Sequence, residues 1–182
     1  MIDDFTRKEI EKISHNILKE SKSFDIFPTP VDKIISYSNF AVDNSIDLKN
    51  IDTSFFDLLK EKLINPSKNA LLNALSKIKG IFDREDKIIY IDSNLDKNLG
   101  KKNFVQLHEI GHGVLSWQNE IMLALDNDET LCEEYGEQFE AEANYFASIT
   151  LFQHERFFEE CQKMNLGLGA VMALSKKFGS SV

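Results

Sequence analysis

The chain carries His108-Glu109-Ile110-Gly111-His112. On an α-helix, residues four apart lie one turn above each other on the same face, so two imidazoles at this spacing can close on one metal ion. Glu109 projects beside them, where its carboxylate can act as a base toward water activated by that ion. The plain alternative is a pair of satisfied helix histidines beside a surface glutamate. The flanking residues weigh against it. Phe104, Val105, Gly111, His112 and Leu115 fall within about 60° of His108 on a helical wheel, and Leu107, Ile110 and Val114 cover the opposite side. Polar residues are confined to a narrow arc holding Lys102, Gln106, Gly113, Ser116 and Glu109. A helix this apolar is buried, and two histidines on it need partners that a metal would supply.

Zinc takes three protein ligands in a catalytic site and leaves a fourth position open. The third ligand is expected from a second helix, predicted over residues 133–150. Within about 60° of Glu142 lie Tyr135, Phe139, Phe146 and Ile149, so Glu142 is a lone carboxylate in an apolar stripe. A buried carboxylate needs a cation or a metal to offset its desolvation. Glu142 is therefore the expected ligand, with Glu140, on the far side of the helix, as the fallback. A buried Lys or Arg partner for Glu142 is the competing explanation, although no lysine sits in an obviously apolar setting. His154, in Gln-His-Glu-Arg, reads as solvated.

The elements that must hold these residues follow from periodicity and punctuation. Residues 4–20 read as a helix through Ile10, Ile13, Ile17 and Leu18. Phe27-Pro28-Thr29-Pro30 is a break, with Thr29 expected to cap a short helix through Val31, Ile34 and Ile35. A short strand is expected at 40–43 and a loop at 43–50. Helices are expected over 54–64 and from Ser67 to Gly80. Ile81-Phe82, a polar turn, and Lys87-Ile-Ile-Tyr-Ile-Asp92 read as a β-hairpin whose second strand is nearly buried on both sides. Residues 93–100 read as a loop leading into the His108 helix. The expected class is α+β, mostly helical with a small sheet, as a single domain over residues 1–182.

Composition narrows the partners. A length of 182 residues suits one domain with a proper core, and 42% hydrophobic with 28% charged residues is ordinary for a globular protein. A net charge of −9 argues against nucleic acid as a direct partner, since phosphate binding needs a basic stripe, whereas an acidic surface suits a basic protein. The N-terminus has no apolar segment of signal-peptide type, and no run approaches a membrane span. Cys132 and Cys161 lie far apart without a Cys-x-x-Cys pair and read as reduced thiols, which places the protein in the cytoplasm.

With these residues in place, the chain resembles the ImmA/IrrE family of bacterial metallopeptidases. The resemblance rests on the strand at Lys87–Asp92, on Phe104-Val-Gln-Leu-His108-Glu-Ile-Gly-His112, and on Glu140-Ala-Glu142-Ala-Asn144-Tyr-Phe146-Ala147, which looks like the family's Glu-Ala-Asn-x-Phe-Ala signature. Phe27-Pro-Thr-Pro-Val-Asp before a short helix also fits. The resemblance implies a gluzincin-like domain with one zinc ion between two helices (manganese being the other candidate). It implies His108, His112 and Glu142 as ligands and Glu109 as the catalytic acid/base. The implied substrate is a helix-turn-helix transcriptional repressor, cut in a stress or mobile-element response. Two features depart from the family. Thr150-Leu-Phe-Gln-His154 lacks the usual proline, and Leu174–Val182 looks like the start of a helical hairpin that the chain does not complete.

Within the mechanism this implies, the peptide is expected to lie along the strand at 87–92. Tyr90, Tyr135, Tyr145 and His154 are the candidates for stabilising the oxyanion. The rival reading from another class is a regulatory module whose metal is structural and which sequesters a repressor or another partner without cutting it.

Overall fold

In the computed structural model, residues 2–47, 79–84, 86–118 and 129–182 are described, the stretch 129–135 as backbone only. The helices expected over 54–64 and from 67 onward lie outside the described residues, apart from Lys79 and Gly80, and Gly80 opens a strand. The first helix, α1 (Asp4–Glu20), begins where the Asp3 carboxylate accepts from the backbone N–H of Phe5 and Thr6, and it buries Ile10, Ile17 and Leu18 as their spacing requires. Helix α2 (Val31–Tyr37) follows the proline-rich break. Thr29 does not cap it: its hydroxyl donates to the carbonyl of Leu151 at 2.7 Å, tying the break to the end of a distant helix.

Three strands make one mixed sheet: β1 (Ala41–Asp43), β2 (Gly80–Asp83) and β3 (Ile88–Ile91), in the order β1-β3-β2. Strand β3 runs parallel to β1, with Ala41 opposite Ile88, and antiparallel to β2, with Gly80 opposite Ile91. Ile89 and Ile91 are fully buried while Ile88 and Tyr90 are half-buried, so the strand alternates where near-complete burial was expected. Its central position overturns the expectation that a peptide would pair with it. Both of its main-chain edges are already taken, one by β1 and one by β2.

The expected loop at 93–100 contains more structure than its Asn and Asp content suggests. Asp92 caps a 3-10 turn (Ser93–Lys97), and the Asn98 side chain accepts from Lys101 N to open α3 (Leu99–Val114). These residues cap elements instead of forming a loop. The long helix α4 (Glu129–Leu151) packs chiefly on α3, which is backed on another side by β2 and β3, while α1 packs on α4. Leu107, Ile110, Phe146, Ala147, Ile10, Leu18, Ile89 and Ile91 fill the space between these layers with no exposed surface. Burying each large aliphatic or aromatic side chain among them contributes about 1.5–3 kcal/mol.

Gly111 sets the distance between α3 and α4. A Cβ there would stand 3.2 Å from both Ala143 Cα and Phe146 Cδ1. The glycine in the motif therefore serves helix packing. The chain ends in α5 (Glu155–Gln162) and α6 (Leu168–Phe178), which pack on each other. Leu174, where a helical hairpin was expected to begin, lies inside α6. Among the described residues, no helix is long and apolar enough to cross a membrane.

Candidate metal centre

Helix α3 presents His108 and His112 on the face turned toward α4. Their Nε2 atoms lie 3.1 Å apart. From α4, Glu140 brings one carboxylate oxygen to within 3.3 Å of His108 Nε2 and the other to within 3.3 Å of His112 Nε2. Two ligands about 2.0–2.1 Å from a tetrahedral ion are separated by roughly 3.4 Å, so these three groups are spaced within a few tenths of an ångström of that requirement. Among the described residues, these three could hold a metal ion.

The other ring nitrogens support the same reading. His108 Nδ1 meets Asn144 Oδ1 at 3.1 Å, and His112 Nδ1 meets Gln118 Oε1 at 2.9 Å. An amide oxygen accepts only, so each Nδ1 carries the proton and donates it. That arrangement turns both Nε2 lone pairs toward the same point, which suits a cation and is unfavourable between two bare imidazoles.

Charge is organised to match. With no ion bound, imidazoles that carry a proton on Nε2 as well as on Nδ1 donate to Glu140, and these hydrogen bonds from His108 and His112 hold its carboxyl well below the usual carboxylate range, although burial opposes them. Burial alone would lower His112. The Glu140 and Gln118 hydrogen bonds and the nearby carboxylate charges of Glu109 and Glu140 outweigh it, so His112 titrates above 6.5 in the metal-free protein. Glu109 is 6% exposed, and this burial pushes its carboxyl upward, against the pull of the two histidines. A carboxylate that burial makes more basic is a better proton acceptor than a solvated one.

Glu109 is housed by a gap in the sheet. A Cβ on Gly80, the first residue of β2, would lie 2.7 Å from Glu109 Oε1 and 2.8 Å from Val105 Cγ1. We expect Gly80→Ala to displace the Glu109 side chain and lower turnover by about tenfold to a hundredfold. Its metal content, read by elemental analysis alongside the rates, should stay at the wild-type level.

The pH dependence of the metal-free protein follows from the signs of two shifts. Glu140, depressed, contributes stability that is present above 4.5 and lost as pH falls through its folded value. His112, raised, contributes stability that is present below 6.5 and lost as pH rises through its folded value. The pair therefore stabilises most between these limits. The difference in Tm between wild type and Glu140→Gln in chelator is expected to be largest near pH 5–6 and to shrink by pH 9, as calorimetry would show.

The structure does not bring Glu142 to this centre. It is fully buried, and its carboxylate accepts from Trp117 Nε1 at 2.8 Å, Gln118 Nε2 at 2.9 Å and Gln138 Nε2 at 2.9 Å. The apolar stripe was read correctly as a buried face. What it overlooked is that neutral N–H donors can satisfy a buried carboxylate as a metal or a lysine would. The side that faces the histidines carries Glu140, Ala143 and Asn144. Glu140 and Asn144 are four apart, the same spacing as the histidines they meet, and this was the available signal for both. Gln118 follows the end of α3 and carried no signal, because its place depends on how the chain turns after Leu115.

Two of the four oxyanion candidates, Tyr145 and His154, are engaged elsewhere. Tyr145 Oη donates to Glu11 on α1 at 2.5 Å, and burial together with that carboxylate pushes its phenol up to about 12. His154, expected in solvent, is half-buried and its Nε2 meets Ser14 Oγ at 3.0 Å. Tyr90 lies on β3, and the Tyr135 side chain is outside the described residues.

A histidine pair and a glutamate joined across two helices, beside a small mixed sheet, mark a zincin-like domain of metallopeptidase type. Residues 70–182 match the family model described as the IrrE N-terminal-like domain, so the chain belongs to the ImmA/IrrE family. No match was found among curated proteins or among solved structures.

Proposed function

We propose that this protein is a zinc-dependent endopeptidase whose substrate is a helix-turn-helix transcriptional repressor, cut in a stress or mobile-element response. The observation that carries the proposal is the convergence of His108 Nε2, His112 Nε2 and the Glu140 carboxylate, with Glu109 next in the chain, in a member of a peptidase family. Two imidazoles and one carboxylate favour zinc over manganese, which prefers oxygen-rich sites. When bound, zinc would supply the positive charge that acidifies water and polarises a peptide carbonyl.

The remaining roles fall to the chain itself. His108, His112 and Glu140 hold the ion. Asn144 and Gln118 fix the imidazoles in the tautomer that exposes Nε2. Glu109 takes a proton from the attacking water and returns it to the leaving amine. Among the described residues, the strand edge beside Glu109 that β3 does not occupy belongs to β2. An extended peptide is therefore placed against β2 by main-chain hydrogen bonds. The repressor is supported by the family resemblance and by the net charge of −9, which favours a basic partner. A cytoplasmic setting belongs to the same proposal.

The test incubates the zinc-loaded protein with the DNA-binding repressors of its own genome and follows cleavage by mass spectrometry. Cutting that a chelator abolishes and added zinc restores is the expected result. One zinc per chain with binding but no cutting would instead support a metal-stabilised module that sequesters its partner.

A further inference from the structure

Glu142 belongs to none of the roles above, yet it is the most deeply buried carboxylate among the described residues and is joined to the site by one side chain. Gln118 donates through Nε2 to Glu142 Oε2 at 2.9 Å and receives His112 Nδ1–H on its Oε1 at 2.9 Å. We propose that Glu142 is a positioning residue which, through Gln118, holds His112 in the tautomer that offers Nε2 to the metal.

An amide can face His112 with its oxygen or with its NH2 group. The second orientation would make Nδ1 the acceptor and move the ring proton to Nε2, where it would block a metal bond. What selects the first orientation is the group at the amide's other end. A carboxylate oxygen only accepts, so the NH2 must point to Glu142 and the oxygen to His112. The carbonyl of Phe139, 3.4 Å from Gln118 Nε2, acts in the same sense at longer range. Trp117 Nε1 donates to the same Oε2, and Gln138 Nε2 donates to Oε1. These two bonds clamp the carboxylate without touching His112. The acceptor at Oε2 is therefore the requirement, and the negative charge is not. A glutamine at this position can keep its oxygen toward Gln118 and Trp117 while the Gln138 amide turns to receive its NH2 group.

That distinction supplies the test, which rests on the metal-site reading above. Zinc dissociation constants are measured by competition with a chromophoric chelator on full-length wild type, Glu142→Gln and Glu142→Met. The hydrogen-bonded His112 Nδ1–H of the zinc-loaded protein is followed by long-range 1H–15N NMR. Met fills a similar volume but removes the acceptor. It is expected to weaken zinc binding about 10- to 100-fold and to make the Nδ1 proton exchange quickly. Gln is expected to stay within about threefold of wild type and keep the slow proton.

A folded Glu142→Met protein that binds zinc like wild type overturns the proposal. So does an equal loss in both variants, which would mean that the charge matters. If Glu142→Met does not fold, Gln118→Met breaks the relay one link closer: the same loss supports the proposal and wild-type affinity overturns it. Wild type that binds no zinc overturns the metal site itself, a different result from zinc binding that ignores position 142.

Discussion

Replacing Glu109 by glutamine is expected to reduce peptide-bond cleavage by about 10²–10⁴-fold while the protein keeps its full complement of zinc. The two halves of that expectation come from different atoms. Glu109 is not one of the three groups that converge, since the distances that define the centre run among His108, His112 and Glu140. Gln is isosteric and fits against Gly80, where nothing larger than the present arrangement has room. What it lacks is the ability to accept and return a proton. Its effect should therefore fall on kcat, with KM changed little, because the lost interaction belongs to the transition state. Burial raises the Glu109 carboxyl, so removing it also relieves a desolvation cost, and the variant should be at least as heat-stable as wild type. Single-turnover rates and melting curves check both. Cleavage at wild-type rate by Glu109→Gln would remove the residue from the mechanism. Loss of zinc in this variant would place it in the metal's coordination instead.

The parts of this molecule that were legible in its sequence are those written in periodicity. The α1 helix, the β2–β3 hairpin, the His108 helix and the long helix behind it follow from apolar spacing, because a buried face must repeat with its element. The His-Glu-x-x-His spacing fixes both histidines on one face of α3 for the same reason. The third carboxylate was less accessible. Burial singled out Glu142, but burial says only that a group needs partners and does not say which. Trp117 and Gln118 come from the helical residues that follow the break at Leu115, and Gln138 from the preceding turn of α4, so two of those three donors are placed by tertiary folding alone. Glu140 was discounted because it sits on the polar side of its helix. A metal site that admits substrate is partly open, and the Glu140 side chain is 62% exposed. Sheet order was likewise out of reach: short strands predict pairing within a hairpin, but not that β1, whose Ala41 pairs with Ile88, 47 positions later, would cover the far edge of β3.

Glu140→Ala is expected to drop zinc from about one ion per chain to a small fraction of that, a loss of roughly 3–5 kcal/mol if each of three ligands carries a comparable share of the binding energy. The fold should survive the change, because an exposed side chain supports little packing and surface substitutions typically cost within about 0.5 kcal/mol. The contrast with position 142 makes the result decisive. Two residues on one helix differ by about 200° in direction, so only one of the two carboxylates can face α3. With α4 oriented by Asn144 on His108 and by Ala143 against Gly111, Glu140 is the one that does. Elemental analysis of Glu140→Ala and Glu142→Gln side by side then yields opposite outcomes under the two assignments. Zinc lost from the first and retained by the second fixes Glu140 as the ligand. The reverse pattern would require α4 to be turned about its axis, breaking the bond of Asn144 to His108 and that of Glu142 to Gln118.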